Sequence, residues 1–93
     1  MGFYLKSPAS EIDYAVDWSA GYLDGETVTA SAWRIEPEEP DGLVVGVTVT
    51  GPQRTAATLM GGCEGHVYRV ANDVTLSDGR RDTRTLTIRI EER

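Results

Sequence analysis

The sequence predicts an all-β chain of about seven short strands, arranged as an antiparallel sandwich. Three observations carry that expectation. Apolar and polar residues alternate at period two in several segments, and no segment holds a helical period over three turns. Turn-forming pairs such as Asp24-Gly25, Gly51-Pro52, Gly61-Gly62 and Asp78-Gly79 separate these segments. Residues 65–90 read as strand, Asp-Gly turn, strand, a strong local hairpin signal, because both turn residues tolerate the positive φ of a tight two-residue turn.

The elements follow in order. Residues 1–10 form an N-terminal lead-in with Pro8, and residues 11–93 form the single sandwich domain. Phe3, Tyr4 and Leu5 are too apolar for a free tail and are expected to dock on a surface. Residues 11–18 place Ile12, Tyr14, Val16 and Trp18 on one face, as in a half-buried strand. Residues 19–25 turn the chain at Asp24-Gly25. Residues 26–35 form a strand with Thr27, Thr29, Ser31, Trp33 and Ile35 on one face and Val28, Ala30, Ala32 and Arg34 on the other; the pattern does not choose between them. Trp33 is the candidate for the central core Trp.

Residues 36–42, with two prolines and four acids, cannot continue a central strand and read as a solvated loop. Residues 43–50 and 55–60 are strands, followed by a Gly-rich loop carrying Cys63. The 66–90 hairpin completes the chain, with Leu86, Ile88 and Ile90 expected inward and Thr85, Thr87 and Arg89 outward. Tyr68, just after Gly65 at the start of the penultimate strand, suits the buried corner tyrosine of an immunoglobulin-like sandwich, so that fold is expected.

At 93 residues the chain has room for one such domain. It lacks a run long enough for a membrane helix and a signal-peptide pattern at its start, so no membrane partner is expected. One cysteine excludes an internal disulfide and points to synthesis in a reducing cytoplasm. A net charge of −6 argues against nucleic acid as the main partner. Residues 1–50 carry −7 and residues 51–93 carry +1, so an acidic and an arginine-bearing surface could meet between copies or partners.

No catalytic or cofactor site emerges. Cys63 and His66 flank Glu64-Gly65, but a nucleophilic dyad needs a third group to orient the base. Zinc is set aside for the monomer, because it needs three or four nitrogen or sulfur ligands and only these two residues supply them. Asp13, Asp17, Asp24 and Glu26 are weighed as calcium ligands, but no Asp-x-Asp-x-Asp-Gly loop is present and a solvated strand face explains them. The chain has no phosphate-binding Gly loop and offers no clear cleft for paired carboxylates. Arg80, Arg81, Arg84 and Arg89 could touch an acidic partner, with Arg80 and Arg81 just past a turn.

Several short patterns occur in order: Asp17-Trp18, Leu23-Asp24-Gly25-Glu26-Thr27, Ser31-Ala32-Trp33, Gly65-His66-Val67-Tyr68-Arg69-Val70, and Gly79-Arg80 before Asp82 and the Leu86/Ile88/Ile90 strand. Together with the opening Phe3-Tyr4-Leu5-Lys6 and Pro8, this resembles small immunoglobulin-like structural proteins of tailed bacteriophages, of the neck or fibre–tail adaptor type. The resemblance implies a virion component made in the host cytoplasm, with no enzymatic site. Its partners would be other virion structural proteins, with a homo-oligomer in the particle as one arrangement. Candidate interaction residues are Phe3, Tyr4, Leu5, Arg80 and Arg81. The alternative is a bacterial immunoglobulin-like adhesion or carbohydrate-binding module.

Overall fold

The computed structural model describes residues 2–19, 23 and 25–92. The chain is all-β, with seven strands: β1 (Gly2–Lys6), β2 (Glu11–Asp17), β3 (Val28–Glu36), β4 (Leu43–Thr50), β5 (Arg54–Gly61), β6 (Val67–Leu76) and β7 (Arg81–Ile90). They form two sheets, one in the order β1-β7-β6-β3 and the other in the order β2-β5-β4. The connections β2–β3, β3–β4 and β5–β6 each pass between sheets.

Not every pair is antiparallel. β1 runs parallel to β7, with Gly2 opposite Leu86 and Lys6 opposite Ile90. No hairpin joins these first and last strands, so no turn forces them antiparallel. The chain instead leaves β1 at the end where β7 finishes and enters the other sheet through Ser7–Ser10.

The apolar faces of the sheets share the core. One cluster joins Ile35, Leu43, Leu59, Tyr68, Val70, Leu86, Ile88 and Ile90. A second joins Val16, Trp18, Val28, Val74 and Leu76. Alternation on β7 holds as expected: Leu86, Ile88 and Ile90 are buried, and Thr85, Thr87 and Arg89 lie on the other face. The Ile12–Trp18 face turns inward as well, with Val16 and Trp18 buried and Ile12 and Tyr14 half-buried.

β3 explains why its inner face was ambiguous. A bulge between Val28 and Ala30 shifts the register against β6. Val28 is buried before the bulge, and Trp33 and Ile35 face the core after it, so the inward parity switches within one strand.

Trp18, not Trp33, is the fully buried tryptophan. Trp33 is half-buried and packs against both clusters, and its buried indole N–H has no hydrogen-bond partner among the described residues. The indole of Trp18 donates to Thr55 Oγ1 at 3.0 Å, and Thr55 donates to Asn72 Oδ1. Asn72 Nδ2 in turn donates to Ser31 Oγ at 2.8 Å and the Ala32 carbonyl at 3.1 Å. This buried polar line crosses from one sheet to the other. Arg84 closes that end of the core, its guanidinium 5.0 Å from the Trp18 ring centre.

The β6–β7 turn also differs in detail. It is a three-residue loop, Ser77–Gly79, closed by Leu76 N–H to the Arg80 carbonyl at 2.8 Å. Only Gly79 has positive φ (92°), as in a type I turn with a glycine bulge. Asp78 instead uses its carboxylate to accept from the Arg80 amide. The Asp24 half of the expected Asp24-Gly25 turn lies outside the described residues.

Candidate functional site

Two places on this scaffold bring unusual groups together. The first is β1, at the open edge of its sheet. Phe3 is 63% exposed and Leu5 is 44% exposed, on the face opposite Lys6. Tyr4 lies on the inner side, edge-on to Tyr14 with ring centres 5.5 Å apart, and Tyr14 is edge-on to Trp33 at 6.4 Å. Burial, and then Tyr4, raise the pKa of Tyr14.

Lys6 anchors the strand. Its side chain is buried, and Nζ donates to the Gly61 carbonyl at 2.6 Å and the Ser7 carbonyl at 2.9 Å. Burial lowers its pKa, against an opposing pull from Glu11. The Glu91 amide donates to the Lys6 carbonyl at 2.9 Å, holding the strand to the end of β7. β1 is therefore fixed by its backbone and Lys6, while its outer apolar side chains face solvent.

The other sheet has a matching feature. β4 is its edge strand and exposes Val44, Val47 and Val49. β1 sits over β2, as the Tyr4–Tyr14 contact shows, whereas β4 lies on the β3 side. The two apolar edges thus lie on opposite sides of the molecule.

Arg80 and Arg81 do not join β1. β1 faces residues 86–90 of β7, whereas Arg81 begins that strand, about 17 Å from Leu86 at the usual strand rise. Arg80 is engaged locally, with Nε 2.7 Å from Asp78 and Nη2 3.1 Å from Glu26. Arg81 is exposed and borders a shallow groove with Ala30, Ala32, Asp73 and Thr83. The calcium candidates do not converge either: Asp13 accepts from Thr58, Asp17 accepts from Ser19, and Glu26 pairs with Arg80. Asp24 lies outside the described residues.

The second place is a corner where the 37–42 and 62–66 connections meet. Tyr68 is fully buried, as expected, and its hydroxyl accepts from the Cys63 amide at 3.1 Å. The same hydroxyl donates to Glu39 Oε2, which also meets His66 Nδ1 at 3.0 Å. Glu39 is thus a half-buried, doubly bonded carboxylate and not a solvated loop acid. The Tyr68 bond, and next the His66 bond, lower its pKa. Burial, followed by the bond to Glu39, raises that of Tyr68. Gly42 makes room, since a Cβ there would lie 2.7 Å from Glu39 Cγ. Glu39 thus joins His66, while Cys63 Sγ turns to the Asp41 carbonyl at 3.5 Å. A proline-rich acidic loop gives no signal that one of its carboxylates folds under a tyrosine.

A family model described as podophage GP4 fiber-tail adaptor protein gp77 matches residues 6–89. No curated protein matches the chain. The match begins at the buried Lys6 and runs through Arg89 on β7, taking in both sheets, the Tyr68 corner and all but the first four residues of β1. The chain belongs to the family of podophage GP4 fiber-tail adaptor proteins.

Proposed function

We propose that this chain is a non-enzymatic structural adaptor of the phage particle, made in the host cytoplasm and binding neighbouring neck, tail or fibre proteins through its surface. Family membership over residues 6–89 is the observation that carries this function. The same proposal holds that the fold is an immunoglobulin-like sandwich. The strand orders β2-β5-β4 and β7-β6-β3 support it, since they correspond to the two sheets of that fold, and so does the Tyr68 hydroxyl bonded to backbone a few residues upstream.

The β1 edge is the proposed contact, through Phe3, Tyr4 and Leu5. Exposed apolar side chains on an open strand edge suit burial against a partner protein. Arg80 and Arg81 form a separate polar patch at the far end of the sheet. A homo-oligomer in the particle is consistent with apolar edges at β1 and β4 on opposite sides, because a contact between unlike surfaces can close into a ring. Neither nucleic acid nor membrane is assigned as a partner.

Fractionation of purified particles tests this function. The chain is expected in the particle, and its absence would overturn the virion assignment. Deleting the whole lead-in would also remove Lys6 and β1, so the contact is better tested with Phe3→Ser and Leu5→Ser together. These outward substitutions should keep the melting midpoint and reduce incorporation. Unchanged incorporation would remove β1 as the contact.

A further inference from the structure

The sequence offers two nitrogen or sulfur ligands for a metal, and the fold adds a carboxylate. One donor atom each from Glu39, Cys63 and His66 lies within 4.8 Å of the others. Among the described residues this is the one such group. Bonds of 2.0–2.3 Å in a tetrahedral site place ligand atoms about 3.3–3.8 Å apart, so closure needs shifts of roughly an ångström. His66 is exposed and Cys63 and Glu39 are half-buried, which leaves the side chains room to make them.

The backbone beneath the ligands is already held. The His66 amide donates to the Cys63 carbonyl at 3.0 Å across a turn with Gly65 at φ 84°. That turn is tied to β7 by Gly65 N–H to the Ile90 carbonyl at 2.7 Å and Ile90 N–H to the His66 carbonyl at 3.0 Å. The Cys63 amide is held by Tyr68 Oη, and Glu39 by the same hydroxyl and by the Gly42 amide on its carbonyl at 3.1 Å. Cys63 Sγ lies 3.5 Å from the Asp41 carbonyl, beside the loop that carries Glu39.

We propose that Glu39, Cys63 and His66 form a binding site for a zinc-class divalent cation, with water in the fourth position. The donor set selects the ion: a thiolate and an imidazole beside one carboxylate suit zinc, whereas calcium and magnesium require mostly oxygen ligands. Binding releases the thiol proton to solvent and replaces the His66–Glu39 contact with two metal bonds. The ion fastens two connections that each pass between sheets. Because Tyr68 and the backbone already hold this corner, the cation adds stability to an existing fold and is not a condition for folding.

Cobalt(II) alone is the probe, followed by displacement with zinc(II). The intact chain should bind one ion per monomer and show thiolate-to-cobalt absorption in the near ultraviolet with visible bands of tetrahedral cobalt. Cys63→Ser should abolish the near-ultraviolet band. Glu39→Gln keeps an oxygen acceptor for Tyr68, so its fold is checked by melting. It should weaken binding by about tenfold or more, at least what loss of an outer partner of a metal ligand costs. Zinc should raise the melting midpoint of the intact chain and not that of Cys63→Ser. Absence of the thiolate band, two chains per ion, or undiminished affinity in Glu39→Gln would each overturn the site.

Discussion

Around Tyr68 and around Trp18 the same two sheets are joined in different ways. Near Tyr68 the contact is apolar, made by Ile35, Leu43, Leu59, Val70, Leu86, Ile88 and Ile90, and the tyrosine hydroxyl meets Glu39 and Cys63 at its rim. Near Trp18 the polar line through Thr55 and Asn72 runs through the middle of the core. The apolar half tolerates any arrangement that fills volume, whereas the polar half requires each donor to meet its acceptor. The difference predicts two kinds of mutational damage.

Ile88→Ala should give the largest loss. Ile88 is fully buried between sheets, and truncating such a residue leaves a cavity worth about 2–5 kcal/mol. Urea unfolding measures it. A loss below that of the polar-half variants would break the distinction.

In the polar half the damage should come from orphaned groups. Asn72→Leu keeps the volume but leaves the Thr55 hydroxyl and the Ala32 carbonyl without Asn72, a cost of about 1–3 kcal/mol. Removing the Thr55 hydroxyl as well, with Thr55→Val, should cost less than the sum of the single changes, because the two side chains act as one unit. Additive losses in a double-mutant cycle would show that the line is not coupled.

Strands β2 to β7 were legible because each carries a local pattern bounded by turn signals, whereas β1 lies in what read as a lead-in and is set by its pairing with β7. The expected 43–50 strand coincides with β4, and the face of Ile12, Tyr14, Val16 and Trp18 turned inward. What escaped depends on distant partners. The inner face of β3 stayed open because the bulge after Val28, set by pairing with β6, is invisible in β3 alone, and Trp18 owes its full burial to distant residues such as Thr55 and Arg84. Glu39 looked solvated because nothing in residues 36–42 announces Tyr68. Nothing local marks Lys6 as buried, because a lysine is rarely buried without partners and its partner Gly61 lies 55 positions away.

Tyr68→Phe tests the rim of the apolar half. The hydroxyl joins Glu39 to the Cys63 amide through two part-buried hydrogen bonds, so the expected cost of losing it is about 1–2 kcal/mol. Its pH dependence is more specific. Glu39 has a folded pKa below its ordinary 4.5, so the unfolded chain binds more protons in that window. The stabilisation is present above pH 4.5 and lost as pH falls through the folded value. Without the tyrosine, the largest cause of the shift is gone, and the acid limb of stability against pH should flatten. An acid limb identical to that of the parent would remove Tyr68 as the cause.

The smallest change in midpoint is expected from Lys6→Met, which replaces the buried charge beside the apolar half with an apolar chain of similar length. It loses the bonds to Gly61 and Ser7 but also the cost of desolvating an ammonium group, and these effects oppose each other. The slope with pH separates them. Burial lowers the folded pKa of Lys6 below 10.5, so between the folded and unfolded values the unfolded chain binds more protons and stability rises with pH. Below the folded value the full cost of the buried charge is present. Lys6→Met should abolish that rise on the alkaline side while leaving the Glu39 acid limb in place. If the alkaline rise survives the substitution, its source is another group, and the ammonium of Lys6 is as well solvated in the folded chain as in the unfolded one.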